Sequence, residues 1–205
     1  MKAPYIFLIG PVLISAYFIF FKKQEVVVDN TVAYTNAQDT VKPKVTNLQQ
    51  NTYEDLKRLA YSVQYQQLHL PDNGDKEVLY GVLMDWDYEG KAIITLVSFK
   101  TGDVSLYFST GSGVIGAGQH PEVQNASKAF IDKAKALLPQ ATNKDTALTT
   151  ETGHLKFYLM TNKGRYVVKD KMENVNNFTS PLSPMFEEAN KLIAYMRMVE
   201  EKSKH

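Results

Sequence analysis

Between Val78 and Ser109 three runs of β-branched and aromatic residues follow one another with very short reversals, and no other feature restricts the fold of this chain as tightly. The runs are residues 78–86, 91–100 and 103–109, with Tyr88-Glu89-Gly90 at the first reversal and Thr101-Gly102 at the second. Reversals this short join only antiparallel neighbours, because a parallel pair needs a crossover of about a dozen residues or more. The stretch therefore predicts a three-stranded meander. In the third run Val104, Leu106 and Phe108 alternate with Ser105, Tyr107 and Ser109, which predicts one core face and one wetter face.

Helical patterns flank these strands. Thr52 is expected to open a helix, with Asp55 as its capping-box partner and Glu54 in the first turn, where the positive end of the helix dipole favours an acid. Tyr53, Leu56, Ala60 and Val63, with Leu59 beside them, make its apolar stripe; Pro71 and the turn residues Asp72-Asn73-Gly74-Asp75 close it off. After the meander, residues 110–119 (TGSGVIGAGQ) hold four of the chain's 11 glycines and lead into a helix from Pro121. Val123, Ala126, Phe130, Ala134, Leu137 and Leu138 trace its buried side, and Pro139 stops it.

A second hairpin is expected from residues 155–161 and 165–168 around Asn162-Lys163-Gly164, and a last helix starts at Ser183-Pro184 with Met185, Ala189, Leu192, Ile193, Met196 and Val199 on one stripe. The order α-βββ-α-ββ-α predicts an α+β domain over residues 51–205, an antiparallel sheet of about five strands packed by helices. That order is similar to small sensor and scaffold domains of the profilin, roadblock and PAS kind. The likeness is architectural, matches none of them strand for strand, and assigns no residue a role.

The N-terminus is of another kind. Residues 5–21 carry no charge and are followed directly by Lys22 and Lys23. At ~1.5 Å per residue the run, with Ala3 and Pro4, nearly spans a hydrocarbon core of ~30 Å. Its only small pair, Ser15-Ala16, leaves Ile14 where a cleavage site wants a small residue, so the expectation is an uncleaved single-pass anchor in residues 1–23, contacting the membrane through residues 4–21. Gly10-Pro11 would kink it. Lys2 at one end and the Lys22-Lys23 pair at the other leave the orientation open. Residues 24–50, rich in Asn, Thr, Gln and Val, read as a linker.

Charge and composition remove several function classes. The 23 Lys and Arg face 22 Asp and Glu with no single-sign stretch, which disfavours nucleic acid as a partner. Without cysteine there is no disulfide, no thiolate metal site and no cysteine nucleophile.

The most site-like segment is Gly111-Ser112-Gly113-Val114-Ile115-Gly116, which fits the letter of G-x-G-x-x-G, follows a strand and precedes a helix start that could hold an anion. A dinucleotide fold, however, places that strand in a parallel βαβ unit, and this one ends an antiparallel meander. The competing explanation is that Gly111, Gly113, Gly116 and Gly118 let the backbone turn and pack closely. His120, at the mouth of the loop, is the one histidine placed to act as an acid or base, with Ser109, Ser112 or Asp85 as companions; the plainer expectation is a helix-start residue.

Asp85-Trp86-Asp87-Tyr88-Glu89-Gly90 begins like a calcium loop, but its twelfth position is Leu96 where the ion needs a carboxylate. The plainer expectation is a solvated strand end with Asp85 and Asp87 on one face and Trp86 on the other. Trp86, Tyr88 and Tyr107 are candidates for a partner surface, where aromatics are favoured. No metal-ligand spacing and no complete cofactor motif occurs, and no catalytic constellation is evident. The sequence thus points to a membrane-tethered protein-binding module, for example an immunity or envelope-complex protein. The alternative is a sensor or enzyme that holds a small anion or nucleotide in the loop from Gly111 to Gly118.

Overall fold

The computed structural model describes residues 48–141, 148 and 151–202. The expected membrane segment and residues 24–47 of the expected linker lie outside them. Among the described residues no helix is long and apolar enough to cross a membrane.

Six strands form one sheet: β1 (Leu79–Tyr88), β2 (Ala92–Phe99), β3 (Val104–Phe108), β4 (Gly113–Val114), β5 (His154–Thr161) and β6 (Gly164–Lys171). Their order is β4-β3-β2-β1-β5-β6, and every neighbouring pair is antiparallel. The meander is as the turns dictate. At its first reversal Glu89 (φ 52°) and Gly90 (φ 68°) both take positive φ, the backbone twist that suits a tight hairpin. The sheet has six strands rather than about five because β4, only two residues long, pairs with Leu106 and Tyr107. A strand of two residues has no periodicity to reveal it.

Among the described residues four α-helices accompany the sheet: α1 (Leu48–Ser62), α2 (Pro121–Ala134), α3 (Met172–Asn176) and α4 (Ser183–Lys202). The expected start of α1 at Thr52 is corrected, since the helix begins at Leu48 and Thr52 sits in its interior, so residues 48–50, expected as the end of the linker, are helical. In α2 the α-helical turns end at Ala134, and Pro139 lies inside a following 3₁₀ segment, Lys135–Gln140. The short α3 follows β6 directly and escapes a helical-period reading because it is little more than one turn.

All ten positions of β1 are buried, which requires cover on both faces. One face carries Val82, Met84 and Trp86 of β1. It meets α2 and α4: the Trp86 ring stands edge-on to Phe186 of α4 at 5.2 Å, and Ser98 of β2 is 2.7 Å from the hydroxyl of Ser127 on α2. The other face carries Leu83 and Asp85 and meets α1, where the Tyr61 ring packs edge-on to Tyr158 of β5 at 5.4 Å. Tyr53, Ala60, Tyr61, Tyr80, Leu83, Val97, Tyr107, Tyr158 and Met160 form the core between α1 and the sheet. The architecture is helix, sheet, helices, in three layers.

The stripes of α2 and α4 are where their spacing puts them. Val123, Phe130, Ala134 and, in the following 3₁₀ segment, Leu137 are buried, as are Met185, Ala189, Leu192, Met196 and Val199, whereas Ala126, Leu138 and Ile193 are half-buried. The stripe of α1 is rotated from expectation. Leu59 is exposed and Lys57 is 0% exposed, because the helix turns Tyr53, Lys57, Ala60 and Tyr61 toward the sheet. An i, i+4 and i+7 series is one helical face whichever residue types occupy it.

Candidate functional site

The glycine loop is shaped by its own packing. Gly111 (φ 94°) and Gly116 (φ 76°) take a backbone conformation that side chains disfavour. A Cβ on Gly113 would come within 2.6 Å of the Leu106 carbonyl oxygen, and one on Gly118 within 2.3 Å of the Gly102 carbonyl oxygen. The Phe108 N–H donates to the Ser112 carbonyl at 2.8 Å and the Gly111 N–H to the Phe108 carbonyl at 2.9 Å, so the loop folds back on β3. His120 occupies the N-cap position of α2, where its carbonyl accepts from the Gln124 N–H at 2.9 Å; its side chain makes no capping bond. The structure thus gives each of the four glycines a turn or a close approach to perform.

The three aromatic candidates are all buried. Trp86 is 3% exposed against Phe186, Tyr88 lies edge-on to Trp86 at 6.5 Å, and Tyr107 belongs to the core under α1. Asp85 and Asp87 do share a face opposite Trp86, but the expectation of a solvated strand end is corrected: both are buried. Asp87 is consumed as a connector. Its Oδ1 accepts from the Gly90 N–H at 2.9 Å and its Oδ2 from the Gly153 N–H at 2.5 Å, which ties the β1–β2 turn to the start of β5. Among the described residues no group of three or more His, Asp or Glu side chains is arranged to hold a metal ion.

The structure brings together a cluster that the sequence reading missed. Asp85, midway along β1, has Thr95 opposite it on β2 and Lys156 opposite it on β5. The Thr95 hydroxyl donates to Asp85 Oδ1 at 2.7 Å, and the Tyr53 hydroxyl of α1 lies 2.8 Å from Thr95 Oγ1. With its own proton directed at Asp85, Thr95 accepts from Tyr53. The Lys57 ammonium reaches down from α1 to contact Asp85 Oδ2 as an ion pair, with both side chains out of solvent. Neither of those two atoms has a further hydrogen-bond partner among the described residues. Burial pushes the Asp85 carboxyl above the ordinary aspartate range, against the pull of the Lys57 charge and the bonds from Lys57 and Thr95. Burial likewise raises the Tyr53 hydroxyl, which the Asp85 charge reinforces.

Beside it, Glu151 accepts from Lys156 and Lys169, each at 2.9 Å, and these bonds bring its carboxyl down to about 2. Chemically, the cluster is an amine and a carboxyl group in contact, with the Thr95 hydroxyl aimed at the carboxyl and the Tyr53 hydroxyl behind it, sealed from water. A lysine on an amphipathic helix ordinarily marks the solvated side, so only the i, i+4 relation of Lys57 to Tyr53 could have revealed it.

The outer surface offers a different feature. Phe178 follows α3 with φ 56° and is 70% exposed. Its N–H donates to the Val175 carbonyl at 3.1 Å, and the N–H groups of Thr179 and Ser180 both donate to the Asn174 carbonyl. This is the left-handed residue that closes a helix C-terminus, a place normally taken by glycine.

No family model, no curated protein and no solved structure matches this chain.

Proposed function

We propose that the chain is a membrane-tethered protein-binding module, of the kind found among immunity or envelope-complex proteins, held at the bilayer by residues 4–21. The observation that carries the reading is Phe178. A left-handed backbone at an L-residue costs about 1–2 kcal/mol, and an aromatic ring left 70% in solvent returns little of it within the folded chain. A ring held out at that cost is suited to a partner's pocket, where aromatic side chains anchor interfaces. The apolar, charge-free residues 5–21 support the tether. The anion-binding alternative draws less support, because the loop's four glycines already have structural work and the Lys57–Asp85 cluster is closed to solvent.

The test is site-specific photocrosslinking in the full-length chain in its native membrane, with the photoreactive residue at position 178 or, as control, at the exposed turn residue Lys163. The expected result is a discrete protein adduct from 178 that is absent from 163. Equal labelling at both positions, or none at 178, would count against a partner surface there. Extraction of the membranes with alkaline carbonate should leave the full chain in the pellet and release a chain starting at Gln24.

A further inference from the structure

We infer that Lys57 and Asp85 join in an intramolecular amide, formed by the folded protein on itself, so that α1 is covalently strapped to the central strand of the sheet. Four observations lead there. The amine and the carboxyl oxygen are in contact, and neither has another hydrogen-bond partner among the described residues to hold it back. Lys57 is 0% and Asp85 4% exposed, so water, which would reverse the condensation, is kept out. The Thr95 hydroxyl points at Asp85 Oδ1, the oxygen on which charge would develop, and Tyr53 backs it through a second hydrogen bond. Finally, the reactants sit on separate, well-packed elements, α1 and β1, that fix their approach once the fold is complete.

The chemistry balances without any outside reagent. A proton passes from the Lys57 ammonium to Asp85 Oδ2, giving a neutral amine beside a carboxylic acid, the pairing that a dry interior favours over two charges. The Nζ lone pair attacks Cγ; electrons move onto Oδ1, where the Thr95 O–H stabilises them. A second Nζ proton moves to the Oδ2 hydroxyl, which leaves as water, and the carbonyl re-forms. One C–N bond is made, one C–O bond is broken, nothing is oxidised or reduced, and a positive and a negative charge disappear together. The product amide keeps the Thr95 hydrogen bond on its carbonyl oxygen. Because α1 is the first described element after the N-terminal segment, the strap would stop a pull on that segment from peeling α1 off the sheet. That consequence rests on the proposed tether, whereas the bond itself does not.

The experiment is intact-mass spectrometry of the purified full-length chain, denatured after Trp86 fluorescence has shown it to be folded, followed by peptide mapping. The expected mass is lower than the sequence mass by one water, with a branched peptide joining the segments that contain Lys57 and Asp85. Lys57→Met and Asp85→Leu, singly and together, should return to their full sequence masses, a reading that holds whether or not each variant folds. Thr95→Val should still form the bond but about a hundredfold more slowly, as loss of one donor to a developing oxyanion does. Folded wild-type chain at its full sequence mass, or a lost water that maps to any other position, would overturn the inference. Either result leaves the crosslinking test at position 178 unaffected.

Discussion

Replacing Gly118 with alanine separates a structural loop from a ligand loop. The new methyl carbon would lie 2.3 Å from the Gly102 carbonyl oxygen, 2.9 Å from the Asp103 Cα and 3.0 Å from the Gly102 carbonyl carbon. All three are backbone atoms, so no rotamer change relieves the overlap. The β2–β3 turn must instead move off the 3₁₀ turn Ala117–Gln119, and Gly102, itself at φ 99°, is already packed on Gln124. Overpacking of this kind costs about 1–3 kcal/mol. Alanine returns about 0.4–1 kcal/mol by restricting the unfolded chain. The net expectation is a loss of about 1–2 kcal/mol, read as a lower urea midpoint with an unchanged slope. If the loop were instead an open anion cradle whose backbone is free to adjust, the variant would keep its midpoint. A change smaller than about 0.5 kcal/mol, within the scatter of surface substitutions, would refute the close-packing argument.

Four further outcomes follow from the same geometry. Ser127→Ala removes the 2.7 Å partner of the buried Ser98 hydroxyl and should lower stability by about 1–3 kcal/mol, measured by urea titration. Phe178→Gly should leave stability within about 1 kcal/mol of wild type, because relief of the left-handed strain is offset by the flexibility glycine adds, while abolishing partner capture; Phe130→Ala, in the core, should cost about 3–5 kcal/mol. The Glu151 carboxyl, held at about 2 by Lys169 and Lys156, titrates below its ordinary value of 4.5. Its contribution to stability is therefore present above pH 4.5 and lost as the pH falls from there through about 2. Urea midpoints across that interval should fall more steeply for wild type than for Glu151→Gln.

Much of the fold is local and was legible in the residues. Period-two alternation and two- or three-residue reversals decide that β1, β2 and β3 are antiparallel neighbours, since the chain has no length to do anything else. Apolar stripes place the inner faces of α2 and α4 for the same reason, one geometry per period. The pairing of β5 with β1 is another matter: it closes a gap of more than sixty residues, with Trp86 opposite Leu155, and depends on which side of the meander α2 leaves free. The strand β4 and the helix α3 are too short to carry a period at all.

The candidate chemistry divides along the same line. That Asp85 and Asp87 share a strand face follows from alternation alone. That this face lies under α1, with a lysine descending onto Asp85 from above, is a fact of packing between distant segments. Charge suggests solvent to a reader of sequence because water solvates an ammonium better than any isolated interior can. Only tertiary structure supplies the carboxylate, the hydroxyls and the exclusion of water that make Lys57 an interior residue. The exposed ring of Phe178 is equally invisible beforehand, since nothing in the letters Asn177-Phe178-Thr179 says that the backbone there turns left-handed.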